Sequence, residues 1–286
     1  ISMQIKKIIA VLGIGLLAVG VLAGCGSNTD KTEKKANVKK VKVAYAQNSK
    51  PINYTDENGK PAGHDVEIMK LVDGLLPQYE FEFIPTTDDD LLLGVEQGKY
   101  DVGIKNTFYT EARAKKYIYP KEFLGLSSFG LVLRTDDANI KTLADFAKAG
   151  KTLAPIAANN AQYTVIEEFN QKNPDNKVKL EAGDAFTVNV IEYVSEGRSD
   201  GGAIIEGQYD QKVRSANGPY YGLNDKLVYN EVDVIKTWPL FNKKQQELAD
   251  AYDGAIKQLK AEKKTNELSK QFYGRDLYEV LARVSR

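Results

Sequence analysis

The chain has 286 residues, enough for one large domain or two ordinary ones, and its 42% hydrophobic content is ample for buried cores. Its 39 basic residues balance its 39 acidic residues, so no bulk charge attracts nucleic acid. Residues 1–40 contain seven of the lysines and only two of the acids, which leaves 32 basic and 37 acidic residues in the rest of the chain. This mild acidity argues further against a nucleic-acid partner.

The first 25 residues have the pattern of a secretory signal. Lys6 and Lys7 precede an apolar run over residues 8–21, which is shorter than the roughly 20 residues that a membrane-spanning helix needs. The next four residues, Leu-Ala-Gly-Cys, resemble the lipobox of bacterial lipoproteins, in which the cysteine is lipidated and becomes the mature N-terminus. We therefore expect a signal peptide over residues 1–25 and a lipid on Cys25. The alternative, a cysteine buried within a signal anchor, stays open.

Cys25 is the only cysteine of the chain, which excludes an intrachain disulfide and a cysteine-rich zinc site. Residues 26–40 are polar, with five lysines and almost nothing apolar, so they predict a flexible tether. Acyl chains on Cys25 would hold the body of the protein close to a membrane surface.

The body begins with an alternation of strand and helix patterns. In chain order we predict a strand at 41–45, a helix over the apolar positions of 66–75, a strand at 80–85, a helix at 91–97 that Gly98 ends, and a strand at 100–104. This order requires a parallel sheet with right-handed crossovers. Three consecutive acids, residues 88–90, precede the second helix. Their side chains point in different directions, so we interpret them as N-cap and first-turn charges rather than as a metal site.

The same pattern restarts after a long apolar strand at 127–133. The second run consists of a helix from Thr142, a strand at 151–156, a helix at 161–170, a strand at 177–180, a helix at 188–196 and a strand at 203–206. The chain therefore contains two α/β units, with joints near residues 133–137 and 230–236. Two further helices follow, at 245–260 and at 267–272, and Gly274 ends the second.

A stretch at the end of the third strand, residues 101–113, is the candidate binding site. It passes through three polar residues, Lys105, Asn106 and Thr107, and finishes with Arg113 at a predicted helix start. Side chains and backbone amides at the carboxyl end of a strand can converge on a small polar ligand, and an arginine there can bind a carboxylate with two parallel hydrogen bonds. The sequence therefore predicts a carboxylate site at Arg113, with a lone surface arginine as the alternative.

Motifs spread over the body resemble those of one family. They are a turn with Tyr54 and Gly59 followed by Gly-His-Asp (63–65), Gly-Lys-Tyr-Asp (98–101) with Thr-Glu-Ala-Arg (110–113), Gly-Arg-Ser-Asp (197–200), Phe-Asn-Lys-Lys (241–244) and Phe-Tyr-Gly (272–274). In their order and spacing, residues 41–274 resemble the amino-acid-type extracellular solute-binding proteins of ABC importers. These are the polar amino-acid branch of the type II periplasmic binding proteins.

This resemblance implies an α/β fold of two lobes, each a mostly parallel sheet flanked by helices, joined by two hinge crossovers. Lobe 1 would comprise residues 41–133 and 236–286, and lobe 2 residues 134–235. In the family a small ligand lies between the lobes, and a membrane permease detects their closure. We accordingly expect a monomeric receptor without a cofactor, held by its lipid at the extracellular face of the bacterial cell membrane.

The resemblance also implies roles for individual residues in lobe 1. Arg113 matches the arginine that holds the α-carboxylate of the ligand, and Asn106 and Phe108 lie where the family contacts the ligand. Lys105 adds to the polar character of this stretch. The early loop lacks the aromatic residue that often stacks on the ligand, so we expect Tyr54 or Phe108 to replace it.

In lobe 2 the resemblance is less complete. Asn159 and Asn160 fall where the family presents a turn at a helix N-terminus, whose amides and dipole favour a carboxylate; the alternative is a simple N-cap. The family usually places an aspartate for the ligand's ammonium group where this chain has Ile205, and Glu206 comes one residue later. A shift of one residue turns a strand side chain to the other face, so Glu206 serves only if the glycines at 201–202 form a bulge.

The expected ligand is cystine or another polar amino acid, because the runs at 159–161 and 241–244 resemble those of cystine-type members. A lyase on the same fold is the competing class of function, and the single histidine, His64, would be its acid or base. A structural role for His64 at a helix start is favoured, so we predict a receptor that is not an enzyme and has no metal site. An adhesin or a sensor that keeps the same cleft is the third class.

Overall fold

The computed structural model describes residues 37–158, 160–183 and 189–284. The predicted signal peptide, the lipidation site at Cys25, most of the predicted tether and Asn159 lie outside the described residues. Within the described ranges, no helix combines the length and the apolar character that crossing a membrane requires.

The first part of the chain alternates strands and helices, as predicted. Its elements are β1 (Lys39–Ala46), β2 (Asn48–Ser49), β3 (Asn53–Thr55), β4 (Pro61–Ala62), α1 (His64–Leu75), β5 (Tyr79–Thr86), α2 (Asp88–Gln97), β6 (Val102–Thr107) and α3 (Glu111–Ala114). Thr87 caps α2, because its Oγ1 accepts the Asp90 N–H at 3.3 Å, and Gly98 ends the helix with a φ of 79°. The three consecutive aspartates therefore occupy the first turn of the helix, whereas its N-cap is a threonine.

The second part of the chain repeats the alternation with shorter strands. Its elements are β7 (Gly125–Arg134), α4 (Leu143–Lys148), β8 (Ile156–Ala157), α5 (Ala161–Lys172), β9 (Ala182–Gly183), α6 (Val190–Ser195), β10 (Gly201–Ile205) and α7 (Glu206–Tyr209). The predicted strands at 151–156 and 177–180 form little regular sheet: an isolated bridge joins Thr152 to Lys179, and β8 pairs with β9. The strand predicted to include residue 206 ends at Ile205, because a helix begins there.

The last part of the chain forms a long strand and three helices. The elements are β11 (Leu227–Phe241), α8 (Gln246–Ala261), α9 (Lys264–Tyr273) and α10 (Leu277–Val284). Gly274 ends α9 with a φ of 72°, a left-handed conformation that glycine adopts without the clash of a Cβ atom. The sequence patterns predict α8 and α9 but not α10.

A six-stranded sheet extends through both α/β units, with the strand order β10-β7-β11-β6-β1-β5. β1 lies between β5 and β6 and pairs with both in parallel, as predicted. β11 pairs antiparallel with β6 and β7, and β10 pairs antiparallel with β7. The long strands β7 and β11, which we call the hinge strands, therefore connect the two units. This confirms the predicted α/β fold of two lobes with two crossovers, while the exact lobe boundaries stay a prediction.

Separate apolar clusters stabilise the two lobes, because each buries side chains of its own helices and strands. In lobe 1 the buried residues include Tyr45 of β1 and Tyr252 of α8. On the hinge strands one cluster, with Phe129 and Phe146, covers one side of the sheet, and a second cluster, with Val132, covers the other side. Packed side chains from the second α/β unit thus cover both sides of the hinge strands.

The strand register defines two faces of the hinge strands. Residues directly opposite one another in antiparallel strands point to the same face. Ile205, Phe129 and Asp233 lie opposite one another on β10, β7 and β11, and they define what we call the cleft face. Ser128 and Glu231 point to the opposite face, the rear face, where the Ser128 hydroxyl donates a hydrogen bond of 2.6 Å to the Glu231 carboxylate.

Candidate functional site

Arg113 lies in the short helix α3, directly after the end of β6. Thr110 caps this helix, since its Oγ1 accepts the Arg113 N–H at 3.1 Å. The guanidinium donates from Nη1 to the Phe108 carbonyl at 3.3 Å, and its Cζ lies 5.1 Å from the centroid of the Phe108 ring. The Tyr119 hydroxyl donates to the same carbonyl at 2.9 Å, and burial raises the pKa of Tyr119 to about 12. These contacts hold the arginine beside the end of β6.

Asn106 turns the backbone at the end of β6. Its φ of 56° lies in the left-handed region, which asparagine adopts more readily than most residues. Its Oδ1 accepts a hydrogen bond of 2.8 Å from the Ser127 hydroxyl, so the strand end is joined to hinge strand β7. Lys105 is engaged differently, because its Nζ lies 3.0 Å from the Asp88 carboxylate of α2. Asn106 therefore faces the hinge, whereas Lys105 makes an ion pair within lobe 1.

A cavity of about 430 Å³ lies between the end of β6, helix α5 and strand β11. Aromatic, apolar and charged residues line it: Phe108, Tyr109, Ala161, Thr164, Val165, Glu168, Lys172, Asp233, Val234, Ile235, Lys236, Trp238, Leu281 and Val284. Phe108 also packs against the cluster that contains Phe129 and Phe146. Residues that the sequence assigns to different lobes thus share one cavity. Of the predicted site residues that the structure describes, Phe108 lines it, whereas Arg113 lies next to it through its contacts with Phe108.

Asn160 forms the N-cap of α5. Its Oδ1 accepts the Gln162 N–H at 2.9 Å, which is the alternative role that the sequence left open. Ala161, the first residue of this helix, lines the cavity, so the start of α5 faces the candidate site. Asn159, the other predicted residue of this turn, lies outside the described residues.

Glu206 does not take the position that an ammonium-binding residue would need. β10 pairs with β7 in unbroken register up to Ile205 opposite Phe129, so the bulge on which that role depends does not form between these strands. Ile205 therefore points to the cleft face and packs against the Phe129 cluster. Glu206 begins α7 and makes ion pairs with Arg275 and, at 3.3 Å, with Arg214.

Tyr54 lies in the small sheet formed by β2, β3 and β4. The Lys50 ammonium is 5.3 Å from the centroid of its ring. Tyr54 and Lys50 line a groove that the polar segment 55–58 completes, and neither residue lines the cavity beside Phe108. Of the two aromatic residues predicted to stack on a ligand, the structure therefore favours Phe108.

His64 and Asp65 start α1 and are each about 1% exposed. The His64 Nδ1 lies 2.8 Å from the Asp65 carboxylate, and its ring packs 5.0 Å from the ring of Tyr273. The pair is buried inside lobe 1 and does not line the cavity. This location supports the structural role that the sequence favours for His64.

The two-lobe fold and the shared cavity agree with a family match along most of the chain. Residues 41–275 match the bacterial extracellular solute-binding proteins, family 3. The protein belongs to this family. Membership confirms the predicted resemblance to the extracellular solute-binding proteins.

Individual relatives support the same assignment over nearly the whole chain. The L-cystine-binding protein TcyJ of Bacillus subtilis (strain 168) is 28% identical over 271 residues, covering 95% of this chain and 96% of the relative. The L-cystine-binding protein TcyK of the same strain is 25% identical over 272 residues, covering 93% and 96%. One solved structure is the L-cystine solute receptor of Neisseria gonorrhoeae in the unliganded open conformation. Its superposition on this chain has a TM-score of 0.56 at 21% sequence identity and covers 86% of this chain and 97% of the receptor. The structural likeness supports the fold of this solute-binding protein.

On its rear face this solute-binding protein carries a cluster of paired charges. Arg275, in the connection between α9 and α10, contacts the carboxylates of both Glu206 and Glu231. Glu206 and Glu231 are each 20% exposed at the side chain, and the two contacts hold the pKa of Arg275 above its ordinary value despite the opposing effect of burial. Sequence patterns do not reveal this cluster, because its members are far apart along the chain.

On its cleft face the solute-binding protein has an acid that the sequence patterns also miss. Asp233 is half-buried and lines the cavity. It lies within the predicted joint at 230–236, and the only available signal was its position in a hinge strand. Burial raises the pKa of Asp233 above its ordinary value, although the N–H of Val234 partly counters this effect.

Proposed function

We propose that this solute-binding protein is a lipid-anchored extracellular receptor that binds a polar amino acid and delivers it to the permease of an ABC importer. Cystine is the first candidate ligand, in keeping with the names of the relatives TcyJ and TcyK. The observation that supports the proposal best is the cavity that Phe108 shares with α5 and β11, with Arg113 held against Phe108.

In this proposal the ligand's α-carboxylate binds the guanidinium of Arg113 through two parallel, charge-assisted hydrogen bonds. Phe108 supplies apolar contact, and Asn106 presents the backbone of the turn at the end of β6. The first turn of α5 adds backbone N–H groups, which a helix start leaves without intrahelical partners. Contacts from both lobes make closure about the hinge strands depend on the ligand, and closure is the signal for the permease.

Arg113→Ala tests the carboxylate site. One charge-assisted hydrogen bond contributes about 1.5 to 3 kcal/mol, so the variant should bind L-cystine at least about tenfold more weakly in titration calorimetry, and remain folded. Arg198→Ala is the matched control, because Arg198 makes an exposed ion pair with Glu196 at 2.8 Å and, unlike Arg113, does not contact the cavity-lining residue Phe108. An Arg113→Ala protein with wild-type affinity would contradict the site. Mass spectrometry of the recovered ligand should find it chemically unchanged.

The lipid anchor rests on the lipobox-like residues 22–25 and is tested by Cys25→Ser. Without the thiol that carries the acyl chains, the protein should move from the membrane fraction of the producing cells to the soluble fraction. Ser27→Ala, two residues further along, should leave the distribution unchanged. Equal membrane association of wild type and Cys25→Ser would exclude lipidation as the anchor.

A further inference from the structure

The proposed receptor needs a group for the ligand's ammonium, and the expected position is occupied by Ile205. Because the neighbouring Glu206 is engaged with Arg275 and Arg214, it does not fill this need. We propose that Asp233 supplies the carboxylate that binds the α-ammonium group of an amino-acid ligand, an inference that rests on the proposed function. Asp233 is thereby a residue that determines specificity for amino acids over deaminated acids.

The first reason is where a β-bulge directs this side chain. Along β11, Glu231 lies opposite Gly130, and Asp233 lies opposite Phe129, so two steps on β11 match one step on β7. The additional residue, Val232, is a bulge. In a regular strand, Asp233 would point to the rear face together with Glu231. The bulge instead turns it to the cleft face, opposite the residue that pairs with Ile205. The bulge in β10 that would turn Glu206 to the cleft face does not form, whereas the bulge in β11 turns Asp233 to that face.

The second reason is that the Asp233 carboxylate has a backbone hydrogen bond but no ion pair among the described residues. Its Oδ1 accepts the N–H of Val234 at 2.7 Å. In the described part of the chain, no lysine or arginine nitrogen lies within 4.0 Å of Asp233. Burial removes water from this half-buried carboxylate and raises its pKa, and the Val234 N–H and the charge of Lys172 counter that effect only in part. A ligand ammonium would supply that missing cation.

The third reason is the surroundings of Asp233 in the cavity. Phe108 and Trp238 line the same cavity and can exclude water from an ion pair. Burial has the largest effect on the pKa of Asp233; the charge of Glu168 raises this pKa and that of Lys172 lowers it, and because the net change is a rise, the carboxylate would gain from a further positive group. Lys172 and Lys236 also line the cavity but are exposed, and their long side chains can turn toward solvent or toward a ligand carboxylate. The arrangement fits a zwitterion rather than a simple carboxylic acid.

Asp233→Asn tests this inference, since it keeps the size of the side chain and removes its charge. The probes are two pairs of ligands: L-cystine with dithiodipropionate, its analogue without amino groups, and L-glutamine with its deaminated analogue glutaramate. Titration calorimetry at neutral pH measures the affinity of each. The wild type should bind each amino acid more tightly than its analogue. Asp233→Asn should bind the amino acid about tenfold or more weakly than the wild type does, so that its affinities for the amino acid and the analogue become similar. Asp225→Asn, an exposed aspartate of the same lobe, should behave as wild type.

The outcomes separate the inference from the proposed function. If the wild type and Asp233→Asn bind an amino acid with equal affinity and equal preference while Arg113→Ala loses it, the receptor stands and the role of Asp233 is overturned. If the wild type binds neither amino acid, both are overturned. Thermal unfolding of ligand-free Asp233→Asn tests whether the variant folds. A cooperative transition combined with weaker binding supports the role of Asp233.

Discussion

The two faces of the hinge strands handle their acidic residues in opposite ways. On the rear face, Glu206 and Glu231 share the guanidinium of Arg275, and Glu231 also accepts the hydroxyl of Ser128. On the cleft face, Asp233 has a backbone N–H as its hydrogen-bond donor and borders a cavity. The two strands therefore carry ion-paired carboxylates on one side and, on the other, a carboxylate with no lysine or arginine nitrogen within 4.0 Å in the described part of the chain.

This difference distinguishes carboxylates that form ion pairs within the fold from a carboxylate that can still bind a cationic group of a ligand. A carboxylate that already binds a guanidinium gains little from a ligand ammonium, because its charge is compensated. A half-buried carboxylate that lacks a cation gains more. Proximity of an acid to the hinge is thus a weaker indication of ligand binding than the partners that the acid already has.

The largest expected effect concerns the apolar packing on the cleft face. Phe129 is fully buried, and Phe129→Ala should lower the free energy of unfolding by about 3 to 5 kcal/mol, because it removes apolar contacts and leaves a cavity. Urea unfolding followed by circular dichroism measures this loss. Tyr221→Ala is the control, since Tyr221 is 48% exposed and its truncation should change stability by less than about 0.5 kcal/mol. Equal losses in both variants would show that the cleft face does not depend on this packing.

A smaller effect is expected on the rear face. Arg275→Ala leaves two carboxylates without their shared cation, and charge-assisted hydrogen bonds contribute about 1.5 to 3 kcal/mol. Because the Arg275 side chain is 37% exposed, solvent screens the pairs, and we expect a loss of about 1 to 2 kcal/mol in the free energy of unfolding. Arg198→Ala, which breaks an exposed pair, should lose less. If Arg275→Ala loses no more free energy of unfolding than Arg198→Ala, the rear-face ion pairs are not structural, and the contrast with Asp233 on the cleft face fails.

The smallest effect has the opposite sign and depends on pH. Burial raises the pKa of Asp233 in the folded protein above the ordinary value of 3.8, so the ionised group destabilises the ligand-free fold as the pH rises through the raised pKa. Asp233→Asn should therefore melt at a higher temperature than the wild type at neutral pH. The difference should disappear below the ordinary pKa, where both chains are neutral at this position. Thermal unfolding over a pH series measures this, and a variant that melts lower at neutral pH would contradict the burial cost.

Several elements follow directly from local sequence. Gly98 and Gly274 end helices where predicted, and Thr110 starts the helix that carries Arg113, since capping depends on residues a few positions apart. The strands predicted at 151–156 and 177–180 are mostly irregular, because their pairing depends on partners elsewhere in the chain. Helix α10 has a distinct apolar side that packs on the hinge strands, but it spans only eight residues at the end of the described chain, and the sequence patterns did not predict it.

By itself the sequence determined the family, the order of the two α/β units and the place of Arg113 beside β6. Motifs, hydrophobic periodicity and helix caps act over short stretches, so they can be recognised without the fold. Only the tertiary structure decided which acid faces the cleft. That choice depends on the register among β7, β10 and β11, which brings Phe129, Ile205 and Asp233 together from distant parts of the chain. One bulge in β11 turned Asp233 to the cleft, and no short-range pattern records it.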